Sequence, residues 1–77
     1  MEQKRKEIRR KLKSTTRQEF ERIIYEAMLT PVQEKILRMH IEQAKTLYAI
    51  AADLSFSESY IRDQLCKAYN RITQIMP

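Results

Sequence analysis

The chain contains no glycine, and its two prolines are Pro31 and the terminal Pro77. Tight hairpins draw heavily on glycine, so a sheet joined by short turns is disfavoured. Helices closed by side-chain caps are left as the natural building material. Seventy-seven residues make one small domain, near the size at which a single core barely offsets chain entropy. The fold class expected is all-α, a small three- to four-helix domain that must bury its apolar positions efficiently.

Hydroxyl residues mark the helix starts. Thr15 and Thr16 stand three residues before Gln18 and Glu19, a spacing in which a hydroxyl caps the first turn and the later side chain reaches back. Phe20, Ile23, Ile24, Ala27 and Met28 then recur at helical spacing as one apolar stripe. Thr30-Pro31-Val32-Gln33 is a second start, with threonine as cap and proline at the first helical position, where its missing N–H costs nothing. Ile36, Leu37, Ile41 and Ala44 form the expected buried face of that helix. Thr46 caps a short third helix bearing Leu47, Ile50, Ala51 and Leu54. Ser55-Phe56-Ser57 interrupts it, and Ser57 caps a fourth whose Ile61, Leu65, Ala68, Ile72 and Ile75 alternate spacings of four and three, like a coiled-coil seam.

Charge is distributed unevenly. The chain has a net charge of +5 and a pI near 9.6, a balance that suits a polyanionic partner. Residues 1–13 hold seven bases, Lys4, Arg5, Lys6, Arg9, Arg10, Lys11 and Lys13, against two acids, so the remaining 64 residues are neutral overall. Ile8 and Leu12 are placed to continue an amphipathic helix through this run, but mutual repulsion predicts a frayed or partner-dependent segment. Residues 1–14 are read as a basic N-terminal extension and 15–77 as the folded domain.

Several classes are disfavoured. The longest apolar stretch, Leu47 to Ala52, is too short to span a bilayer, and the basic N-terminus is followed by polar residues, unlike a signal peptide. A single cysteine cannot form an internal disulfide, so a cytoplasmic location is expected. Ile8 and Leu12 alone offer little apolar area to a membrane surface. His40 has no partner at metal-ligand spacing, and no nucleophile–base pair, glycine-rich phosphate loop or carboxylate dyad is apparent. No metal, cofactor or enzymatic activity is expected.

Residues 46–72 carry the functional signal. A helix-turn-helix needs a small residue at the helix crossing, a tight turn, and an apolar residue of the second helix aimed back at the first. Ala51 suits the crossing, Leu54 and Phe56 are expected to flank the turn and drop into the core, and Ile61 to make the return contact on Ile50 and Ala51. Glu58, Ser59, Arg62, Asp63 and Cys66 then fall on the outer face as candidates for base contact, with Arg62 favoured because guanidinium pairs bidentately with guanine. Lys45, Thr46, Tyr48, Tyr60, Lys67 and Arg71 are phosphate-contact candidates, together with the seven N-terminal bases. Plain alternatives stand beside these readings: Arg62 as a solvated partner of Glu58, Thr46 as a cap, the basic run as a solubilising tail, and the four tyrosines as boundary packing.

Leu29-Thr30-Pro31-Val32-Gln33-Glu34-Lys35-Ile36-Leu37, followed by Ile61-Arg62, Ala68 and Arg71-Ile72, resembles region 4 of bacterial sigma factors over residues 29–73, and more distantly the LuxR-type response regulators. The resemblance implies a domain that recognises promoter DNA in the major groove. Ser55 stands where that family usually has glycine, which places a non-glycine residue at a left-handed position. The function expected is sequence-specific binding of double-stranded DNA by a small transcriptional regulator, or a phage- or transposon-type accessory protein, and a homodimer is a reasonable form. The rival is a protein-interaction module that docks on RNA polymerase or another regulator with little DNA binding. The acids Glu58 and Asp63 favour the rival. DNA binding requires Arg62, Lys67 and the N-terminal bases to share a face.

Overall fold

The computed structural model describes residues 2–75, with side chains from Lys6 onward. The chain forms five helices: α1 (Glu2–Ser14), α2 (Arg17–Ala27), α3 (Pro31–Ile41), α4 (Leu47–Leu54) and α5 (Glu58–Ile75). The all-α class holds, with one more helix than expected.

The cap signals account for four of the five starts. Thr16 accepts from the Glu19 N–H at 3.1 Å, Thr46 from that of Ala49 at 3.1 Å, and Ser57 from that of Tyr60 at 3.1 Å. At α3 the box closes in both directions, because Thr30 Oγ1 accepts from Gln33 N–H and Gln33 Oε1 accepts from Thr30 N–H, each at 3.2 Å. Gln33 is buried, and its Nε2 donates to Gln64 Oε1 at 3.3 Å, which joins the start of α3 to α5. The joins are less ordinary. Met28, Ala44 and Ser55, one in each of the last three connections, adopt positive φ of 53°, 54° and 61° in a chain without glycine. Ser55 thus occupies the left-handed position anticipated for it.

α5 is the central element and packs against each of the other four helices. Its Ile61 and Ile72 are fully buried with Ile36 and Leu37 of α3 and Ile50 of α4, while Phe20, Ile23, Ile24 and Ala27 of α2 close another side. Across the α2–α3 surface, Arg38 binds Glu21 with both terminal nitrogens at 2.6 Å and also reaches Glu34 at 3.1 Å and Glu42 at 3.2 Å.

Six packing expectations are corrected. The basic run is not a frayed extension: it forms α1, which buries Ile8 and Leu12 against α3 and α5 within the common core. Two apolar side chains at i and i+4, each worth about 1.5–3 kcal/mol when buried, outweigh repulsion among cations that point into screening solvent. Phe56 is 41% exposed, because Ser57 caps α5 and leaves Phe56 just outside the helix, against Tyr60 with ring centroids 4.7 Å apart and the rings tilted by 48°. Met28 and Ala44 are exposed, since each sits at a left-handed join past the end of its stripe, and Ile75 lies at the surface in the last turn of α5. Tyr69, expected at a boundary, is buried to 5% exposure.

Candidate nucleic-acid interface

α4 and α5 are joined by the three residues 55–57. Ser55 and Phe56 both donate backbone N–H bonds to the Ala51 carbonyl, which tightens the end of α4. Ala51, Ile50 and Ile61 are all buried, as expected of a crossing residue and a return contact between α4 and α5, which pack on each other. Leu54 is half-buried against the core, and the turn is held without Phe56.

On α5, Glu58, Ser59, Arg62 and Asp63 are exposed as anticipated, together with Tyr60, Lys67 and Arg71. Cys66 is half-buried, because it turns toward α1 instead of outward. The charges in the first three turns of this helix are paired within it: Arg62 with Glu58 at 3.2 Å and Lys67 with Asp63 at 3.3 Å. Such exposed pairs contribute about 1 kcal/mol or less, so a phosphate or a guanine edge competes with them at small cost. Thr46 and Tyr48 are exposed at the start of α4, where Thr46 also acts as the cap. Lys45, a phosphate-contact candidate, is half-buried at the α3–α4 join and pairs with Asp53 of α4. Arg71 lies nine residues beyond Arg62, about 13 Å further along the axis, and is not part of the same cluster.

α1 brings its bases to this helix. Lys6, Arg9, Arg10 and Lys13, spaced i, i+3, i+4, i+7, line one shallow depression along α1. Lys11 is exposed elsewhere on the helix, and the side chains of Lys4 and Arg5 lie outside the described residues. Lys6 and Arg9 also face α5 across a groove of about 370 Å³, lined in addition by Arg62, Leu65, Cys66 and Tyr69 of α5, His40 of α3 and Leu47 of α4. Two cations of α1 therefore share one groove with Arg62, the favoured base-contact residue. Lys67 is not among the lining residues.

The floor of the groove has features that residue spacing did not point to. The Tyr69 hydroxyl is buried and has no hydrogen-bond partner among the described residues. Burial pushes this phenol up to about 12, against the pull of the nearby Arg9 charge, so it stays protonated and able to donate. His40 Nδ1 lies 2.9 Å from the Lys45 carbonyl oxygen. A carbonyl only accepts, so Nδ1 carries the proton and braces the α3–α4 join. Tyr69 does extend the Ile61–Leu65–Ala68–Ile72 stripe by one adjacent position, which was the available signal for its burial. Among the described residues no cluster of His, Cys, Asp or Glu has the makeup of a metal site, and no helix is long and apolar enough to cross a membrane.

Compared with protein-family models, curated proteins and solved structures, the chain matches none.

Proposed function

We propose that this protein binds double-stranded DNA sequence-specifically, as a small transcriptional regulator of sigma region 4-like type, with α5 in the major groove and α1 as its electrostatic support. The observation that carries this reading is the placing of Lys6 and Arg9 in one groove with Arg62. In this mechanism, Arg62 exchanges its Glu58 partner for a base edge, while Ser59 and the helix start lie close to neighbouring bases. The stripe Lys6, Arg9, Arg10, Lys13 neutralises phosphates and adds affinity without sequence information.

A second reading, docking on RNA polymerase or another regulator, is favoured by a specific observation. Phe56 and Tyr60 form an exposed aromatic pair beside the start of α5, whose charges are internally balanced. Aromatic anchors of this kind are frequent in protein interfaces.

Fluorescence anisotropy with mixed duplex DNA across a salt series separates the two. Deleting α1 would uncover the core that Ile8 and Leu12 close, so its charges are better removed in place, as Lys6→Gln, Arg9→Gln, Arg10→Gln and Lys13→Gln together. This variant is expected to flatten the salt slope by about 3 to 4. Arg62→Ala is expected to lose about 1–3 kcal/mol of preference among sequences. Absence of binding even at low salt would sink the DNA reading and leave the docking surface as the better account.

A further inference from the structure

We propose that the groove between α1 and α5 is a binding site for a small amphipathic anion, a phosphate or carboxylate head on a single apolar ring or short apolar body. Its volume, about 370 Å³, lies within the range of small-molecule sites. Its chemistry is divided in the way such a ligand requires. Leu47, Leu65, Cys66 and the Tyr69 ring supply an apolar wall, and Lys6, Arg9 and Arg62 supply positive charge from two helices. A cluster of cations alone would describe any basic surface. The second observation is the Tyr69 hydroxyl, buried without a partner among the described residues in a side chain that lines the groove. Leaving a buried donor unpaired is costly, and the cost is recovered when an acceptor reaches it.

The ligand's anionic oxygen accepts from Tyr69 Oη–H and from the guanidinium of Arg9, whose charge already acts on that hydroxyl. Arg9 is half-buried and lines the same groove as Tyr69, and the proposal requires the side chains there to rearrange so that the ligand reaches the covered hydroxyl. At the rim, the ligand replaces Glu58 as the partner of Arg62. A duplex backbone is the wrong shape for this role, because the hydroxyl is covered and much of the lining is apolar. The link between the site and gene control rests on the proposed function, since Arg62 serves both; the ligand site itself does not.

The test is an NMR titration of the full chain, followed by amide shifts, with phenyl phosphate as probe and with inorganic phosphate and benzyl alcohol as head-only and ring-only arms. Phenyl phosphate is expected to saturate, with shifts concentrated at Arg9, His40, Leu47, Cys66 and Tyr69, and each arm alone to bind at least about tenfold more weakly. Tyr69→Phe removes only the hydroxyl. It is expected to fold as the wild type does, to be at least as stable in denaturant, and to bind phenyl phosphate about tenfold more weakly. Equal binding by Tyr69→Phe and wild type overturns the proposal. So do shifts spread along all the bases of α1, or phenyl phosphate and inorganic phosphate binding alike. If the anisotropy assay finds no DNA binding while the titration behaves as expected, the proposed function fails and the ligand site stands.

Discussion

At the scale of single residues, the contest at the start of α5 is between Arg62 and its own neighbour. Glu58 stands four residues before it, accepts its hydrogen bond, and also places a negative charge at the positive end of the helix. That charge favours the folded helix and opposes an approaching phosphate. Glu58→Gln is therefore expected to reduce stability by about 0.5 kcal/mol. The same change is expected to tighten duplex DNA binding by about 3- to 10-fold near 0.1 M salt, since it frees Arg62 and removes one repulsion. Paired denaturation and anisotropy measurements check both signs; a variant that binds DNA no better than wild type would mean that Arg62 takes no part in binding. The outward positions of Glu58, Ser59, Arg62 and Asp63 were legible because helical periodicity assigns them once Ile61 and Leu65 are taken as inward. The place of Cys66 and Tyr69 was not. Both depend on where α1 lies, and α5 itself offers only the adjacency of Tyr69 to its apolar stripe and no signal for Cys66.

At the scale of elements, the caps were the most legible feature, since a hydroxyl that bonds an N–H three residues on needs no information from the rest of the fold. Thr30→Ala tests the strongest of them. It removes the acceptor for Gln33 N–H and loosens a buried glutamine that also holds Gln64 of α5. The expected loss is about 1–2 kcal/mol, read from urea denaturation, against about 1 kcal/mol for Thr46→Ala, whose cap is exposed and isolated. Equal losses would show that the Gln33–Gln64 contact adds nothing to the cap. α1 was illegible for the opposite reason. Its composition argues for repulsion, and only the presence of an apolar surface on α3 and α5, supplied from far along the chain, turns Ile8 and Leu12 into a docking stripe. Phe56 was misplaced because apolar character was read as burial, whereas the cap at Ser57 decides where the helix begins and which residue is left outside.

At the scale of the molecule, the packing of α2 on α3 is tied by Arg38 and the carboxylates around it. The hydrogen bond from Arg38, with its charge, holds the Glu21 carboxyl below its usual range, and the same contact holds the arginine above its own. Arginine keeps its charge at every relevant pH, so only the carboxyl makes this contact pH-dependent. With the folded value below the unfolded one, the contribution is complete above the ordinary carboxylate value near 4.5 and disappears as the pH falls through the lower, folded value. Arg38→Met is accordingly expected to lower the melting temperature by a few degrees at pH 7, with the gap to wild type closing toward pH 2. Thermal melts at both values check this, and a gap that persists in acid would assign the effect to lost packing of the arginine stem instead.

The left-handed joins at Met28, Ala44 and Ser55 bear on how the molecule comes apart. Each sets a non-glycine residue in a conformation that costs about 1–2 kcal/mol by itself. Such a conformation lasts only while the surrounding structure imposes it. A chain without glycine also has a stiffer denatured ensemble, with less entropy to lose on folding. The joins α2–α3, α3–α4 and α4–α5 then each contain a residue whose conformation does not favour itself, and these three bends are held by the shared core. The helices are expected to separate together, so that native-state hydrogen exchange finds a single opening event for the slow amides of α2 through α5.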